Sequence, residues 1–287
     1  MYQAKIGYTT VTWAVAGSSD WMEQGMRDIS ALGFRAFETF SNTAMEYDDP
    51  PGRFRALLEE LNLHVACLDK IRSVYQDPTQ SAAIIADHEE STRFLLDHGG
   101  EILMTVPIGA PDDAPRWTLE EFKIVASTLN EIGKRTLDMG ATMALHPHWG
   151  TYVQSPEEID LIMELTDPRY VFFAPDSGQI AKGDGDPVAI ARKYVDRIAH
   201  VHLKDVAADW PQLRDMGAAL AMPAGYAPLG AGTVDLKGFI GVLAASNYQG
   251  WILGELDQHD DPKGSAEIGR QFLTDEMGFS LDPGRGL

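Results

Sequence analysis

A rhythm constrains this chain more than any single motif does. Eight short apolar runs recur along it, and stretches of helical period fill the intervals. The runs are KIGYTTVTW (5–13), FRAFETF (34–40), LHVACLD (63–69), EILMTVPIG (101–109), ATMALHPH (141–148), YVFFAPD (170–176), IAHVHLKD (198–205) and GWILGELD (250–257). Their starts lie about 29, 29, 38, 40, 29, 28 and 52 residues apart, which suits strand–helix–strand units with right-handed crossovers. Eight such units in 287 residues predict an α/β chain folded as one (β/α)8 TIM barrel over residues 1–287. No Pro/Ser-rich linker or low-complexity tract marks a second domain. The long last interval predicts an excursion at about 206–235 over the C-terminal mouth of the barrel.

The intervals carry helix punctuation. SSDWMEQGMRDISALG offers Ser19 or Asp20 as N-cap and ends at Gly33. TLEEFKIVASTLNEIGKRTLDMG is a long amphipathic helix ending at Gly140. QSPEEIDLIMELTDP has Ser155 as cap, Pro156 at the first helical position and Glu158 in capping-box position. The Gly-rich GAGTVD and GDGDP do not follow a strand as a phosphate cradle would, so they read as turns.

Charge narrows the partners. A net charge of −20 repels nucleic acid and anionic membrane. No run reaches the ~20 apolar residues of a membrane span, and the N-terminus lacks an apolar leader, so a cytoplasmic protein is expected. The lone cysteine, Cys67, lies in an apolar run and reads as core filling.

Barrel function sits where strands end. The last four runs end with His146 and His148, then Asp176, then His202 with Lys204 and Asp205, then Glu255 with Asp257. Nitrogen and oxygen donors in this mix suit a first-row divalent ion. Residues two apart on a strand share a face, so His146 pairs with His148 and His200 with His202. One histidine of each pair can be a ligand while the other stacks on it or meets substrate.

The run from ALHPHWGTYVQSPEEIDLIMELTDP through VFFAPDSGQIAKGDGDP and IAHVHLKD to PLGAGTVD and WILGELDQHDDP resembles the xylose-isomerase-like sugar isomerase/epimerase superfamily. Within it, the inosose (2-keto-myo-inositol) dehydratases are the nearest branch. The resemblance covers most of residues 141–262. It implies a TIM barrel whose metal is held by His146, Asp176, His202 and Glu255. Mn is the first expectation for that metal, with Co, Mg, Fe and Zn as alternatives. Most of the superfamily has Glu at position 146, and the resembled dehydratases carry the HPH found here. DSGQ stands where D-T-G-H is usual, so Gln179 can hydrogen-bond but cannot shuttle a proton.

The implied reaction is removal of the α-proton of a cyclic keto-polyol followed by loss of a β-hydroxyl as water. His148 is the first candidate for proton transfer, being free of the metal if His146 binds it. Lys204 would steady developing negative charge or pair with a carboxylate. Glu38 would hold a substrate hydroxyl, act as alternative acid or base, or make a structural hydrogen bond. Trp13, Trp149, Gln179 and Asp257 are the expected substrate contacts. Trp251, at the opposite rim, reads as core packing. The competing readings are a keto-sugar isomerase or epimerase, a C-glycoside or 3-keto-glycoside cleaving lyase subunit, and a non-catalytic sugar-binding barrel. The family resemblance also implies a homo-oligomer, with a hetero-complex as the alternative.

Overall fold

The apolar runs become the staves of a cylinder. In the computed structural model, which describes residues 4–16, 20–72, 74–107, 115–214 and 223–281, they form β1 (Lys5–Thr9), β2 (Ala36–Phe40), β3 (His64–Arg72), β4 (Ile102–Pro107), β5 (Thr142–Leu145), β6 (Phe172–Phe173), β7 (His200–Leu203) and β10 (Trp251–Gly254). The short strands β8 (Asp205–Val206) and β9 (Tyr226–Ala227) pair antiparallel as a separate ribbon. The barrel order is β6-β5-β4-β3-β2-β1-β10-β7, every pair parallel. Single bridges from Phe173 to Ile198 and from Asp176 to His202 close the ring between β6 and β7.

Helices cover the outside, so both sheet faces are buried and the strands read as continuous apolar runs. Inside, Cys67, Met104, Ala144 and Ala174 form a small interior cluster, and Cys67 is a buried free thiol. Trp251 packs at the start of β10, stacked on His64 at 5.5 Å. No described helix is long and apolar enough to cross a membrane.

Several strands stop earlier than the sequence suggests. The first was expected to reach Trp13, but β1 ends at Thr9 and Val11–Ala16 is helical. Thr10 causes the exit: its N–H and hydroxyl both donate to Glu38 O, and the hydroxyl also reaches Thr39. A β-branched run here serves a turn rather than a strand. β5 stops before Pro147, whose ring removes a ladder donor, and β6 shrinks to two residues ahead of Pro175. His146 N still donates to Thr105 O at 3.0 Å, so the register carries on to the rim.

The helix signals hold in detail. Ser155 and Glu158 form the reciprocal capping box of helix Pro156–Leu165. Gly33 and Gly140 follow their helices at φ 94° and 101°, where a Cβ would be strained. Asp20 is the N-cap residue of Trp21–Ala31 without a side-chain cap bond, and Ser19 lies outside the described residues. GAGTVD is turn structure: Gly230 and Gly232 donate their N–H groups to Asp205 Oδ2. Of the expected excursion, 206–214 and 223–235 are described. Ser155→Ala is expected to cost about 1 kcal/mol, measured as a shift of the urea unfolding midpoint.

Candidate metal centre and substrate cavity

The ends of β5, β6, β7 and β10 bring four donors together. Asp176 caps helix Ser177–Lys182, with Oδ1 accepting from Gly178 N at 2.7 Å and Gln179 N at 2.9 Å. That leaves Oδ2 aimed inward, and it is buried without a hydrogen-bond partner among the described residues. His202 Nδ1 lies 2.5 Å from Glu255 Oε2 and 3.8 Å from Asp176 Oδ2. None of these three atoms makes a hydrogen bond among the described residues. His146 donates Nδ1–H to Ala174 O at 3.1 Å, which leaves the lone pair on Nε2. Ligand atoms of His146, Asp176 and His202 lie within 4.8 Å of one another, as do those of Glu38, His202 and Glu255. Buried, unpartnered polar atoms converging from separate strands are costly unless something satisfies them. A divalent cation fits the donor set.

The surroundings fix these donors. Glu38 is fully buried on β2. One oxygen accepts from His200 Nε2 at 2.6 Å, and the other lies 2.7 Å from His202 Nε2. A carboxylate behind an imidazole orients the ring and raises its basicity toward a metal. Lys204, fully buried, reaches Glu255 Oε1 at 2.6 Å, Asp257 Oδ1 at 2.7 Å and Asp176 Oδ2 at 3.3 Å. Burial works against its charge, but those three carboxylates hold the ammonium well above the usual lysine value. In return, burial opposes ionisation of Asp176 and Glu255, yet Lys204 and His202 keep both below the usual carboxylate range. Burial pushes Asp257 up to about 7.

A cavity of about 270 Å³ opens over this cluster. His146, His148, His202, Glu255, Asp257 and Glu38 line its polar part, while Phe40, Ile71, Met104, Val106 and Pro223 supply apolar walls. Pro223 belongs to the excursion after β8. That excursion is tied down by Lys182, whose ammonium faces the rings of Tyr226 (3.9 Å), Trp210 (4.0 Å) and Trp149 (4.7 Å) and donates to Ala224 O at 2.8 Å.

The expected substrate contacts divide. Asp257 faces the cavity. Gln179 supports the wall: its Oε1 accepts from Trp149 N at 3.1 Å, so its amide N–H points at His148 Nε2, 2.8 Å away. His148 gives its Nδ1–H to Trp149 O at 2.6 Å. Trp149 packs edge-on against Trp210 and does not line the cavity. Trp13 is the clearest correction: the early end of β1 puts it on a helix, with its indole N–H held by Asp28 at 3.1 Å, away from the cavity. Asp69 on β3, Lys182 and Tyr226 were missed. Asp69 ends a run, ACLD, as the other rim carboxylates do, and that signal was available.

Two outcomes follow. His146→Ala and Glu255→Ala are expected to lose the cation, His148→Ala to keep it, and Glu38→Gln to weaken binding by about 10–100-fold, all read by metal titration calorimetry. Burial also pushes His146 and His148 down to about 3 and about 4, with His202 and Lys204 the next contributors. Both stay neutral in the fold but protonate near 6.5 when unfolded, so their stabilising effect is complete above 6.5 and is lost as pH falls through the lower values. Chelator-treated protein should therefore lose stability between pH 6.5 and 4, and His148→Gln should flatten that slope in urea titrations.

Comparison with known proteins identifies the family. The profile of the xylose isomerase-like TIM barrel family matches residues 26–276. An inosose dehydratase of Clostridium tetani (strain Massachusetts / E88) is 38% identical over 273 residues, covering 89% of this chain and 90% of that one. Among solved structures, the probable 3-DHS dehydratase AsbF from Bacillus anthracis superposes with a TM-score of 0.75 at 16% identity, over 95% of this chain and 99% of that one. The IOLI protein with a bound zinc atom gives 0.73 at 15%, over 94% and 97%. Both structural likenesses concern the fold. The chain belongs to the xylose isomerase-like TIM barrel family.

Proposed function

We propose that this chain is a metal-dependent carbon–oxygen lyase of the inosose dehydratase kind, taking a cyclic keto-polyol and eliminating water from it. One observation carries the reading: buried ligand atoms of His146, Asp176 and His202 lie within 4.8 Å of one another, Glu255 Oε2 lies 2.5 Å from His202 Nδ1, and a cavity sized for a single small ring opens above them. The C. tetani relative's name supplies the substrate class. Manganese is our first assignment for the cation and zinc, present in the IOLI structure, the second.

A divalent cation held by His146, Asp176, His202 and Glu255 would supply Lewis-acid stabilisation of the negative charge left when the α-proton is removed. The protein supplies the rest. His148 takes the α-proton on Nε2, since its Nδ1–H is anchored on Trp149 O and that contact fixes the tautomer. Gln179 holds the same Nε2 before substrate enters and yields it to the reacting C–H. Glu38 aims His202, and Lys204 keeps Glu255 and Asp257 ionisable in a dry site. The apolar wall of Phe40, Ile71, Met104 and Val106 excludes water from the opposite flank.

Incubation of the Mn-loaded protein with 2-keto-myo-inositol is expected to yield a dione chromophore. His148→Ala should cut kcat by about 10²–10⁴-fold while retaining metal. Deuterium wash-in at a ketohexose without net water loss would instead establish the isomerase reading.

A further inference from the structure

Eliminating water needs an acid for the leaving hydroxyl as well as a base for the α-proton, and neither Lys204 nor the cation cluster supplies one. In the barrel order, β3 stands diametrically opposite β7, so its inward residues face the cluster across the cavity. Asp69 is on that face, in register with Phe40 of β2 and Met104 of β4, and all three line the cavity.

Four carboxyl groups reach the cavity among the described residues: Glu38, Asp69, Glu255 and Asp257. Three are engaged. Glu38 has an imidazole on each oxygen, Glu255 has Lys204 and His202, and Asp257 has Lys204 at 2.7 Å. Asp69 has no ammonium or imidazole hydrogen-bonded to it among the described residues: its partners are the Glu38 carboxyl and the Cys67 thiol, Sγ at 4.0 Å, and it lines the cavity where a substrate would enter.

We propose that Asp69 is the general acid that protonates the departing β-hydroxyl. This rests on the dehydratase reading above. Burial and the neighbouring Glu38 push its carboxyl well above the usual carboxylate range, which favours the protonated form an acid needs. Glu255 adds to that effect, and His202 opposes it. The electrons balance within the step. The pair left when His148 removes the α-proton forms the new C=C bond, and the β C–O bond breaks with its pair on oxygen. The Asp69 proton joins that oxygen and water leaves. Asp69 then recovers a proton from solvent as His148 releases its own, so the net loss is one water.

Fluoride departs without protonation, which gives the test. Wild type, Asp69→Asn and Asp69→Ala are compared on 2-keto-myo-inositol and on its analogue with fluorine in place of the β-hydroxyl, with metal content and α-proton exchange in D₂O followed throughout. Both variants are expected to retain metal and exchange, to lose water elimination by about 100-fold or more in kcat, and to release fluoride nearly as fast as wild type. Unimpaired water loss, or loss of exchange and fluoride release in equal proportion, overturns the assignment while wild-type turnover keeps the dehydratase reading standing. A wild type that neither exchanges nor eliminates overturns that reading, and the acid with it.

Discussion

The buried ammonium of Lys204 is the interaction on which the rest of this structure depends. It follows β7 directly and reaches Asp176 beyond β6 and Glu255 and Asp257 beyond β10. The seam between β6 and β7 is where backbone pairing is thinnest, held by single bridges. Charge therefore reinforces the barrel where the ladder does not. Removing one member of such a buried set leaves the others uncompensated, at about 3–5 kcal/mol. Close packing makes the arrangement possible: a Cβ on Gly178 would lie 2.8 Å from Lys204 Cγ, so only glycine lets the lysine stem pass.

This charge balance also divides the labour around the cavity. Lys204 and Glu38 do not act on substrate in our reading; they keep the neighbouring donors ionised and oriented. Glu38 spends both oxygens on imidazoles and Lys204 is wholly enclosed. The groups assigned to act on substrate, His148 after β5 and Asp69 on β3, reach the cavity from different staves of the barrel. Preorganisation of this kind lets a site stabilise an anion without reorganising at the moment of reaction.

Much of this was legible in the sequence, for definite reasons. The strand rhythm survives because parallel barrel strands are buried on both faces and show as apolar runs. His146, Asp176, His202 and Glu255 were legible because they end those runs, and run ends map to one rim. Trp13 misled because the β-branched TTVT extends the apparent strand, while the Thr10 hydroxyl turns the chain into a helix. Trp149 is at the rim, but its packing partner, Trp210, is about 60 residues away and nothing local announces it. Lys182 was hidden likewise, since its three ring partners come from separate segments. Asp69 was less legible because it ends the third run, outside both the four run ends that share metal-ligand chemistry and the stretch 141–262 that carries the family resemblance.

Helix Ser177–Lys182 has a consequence of its own. Six residues separate a carboxylate that points at the cation cluster from an ammonium caged under the covering segment. Over so short a span a helix behaves as a stiff rod, about 9 Å long. Tilting one end displaces the other, so the roof and floor of the cavity share a lever.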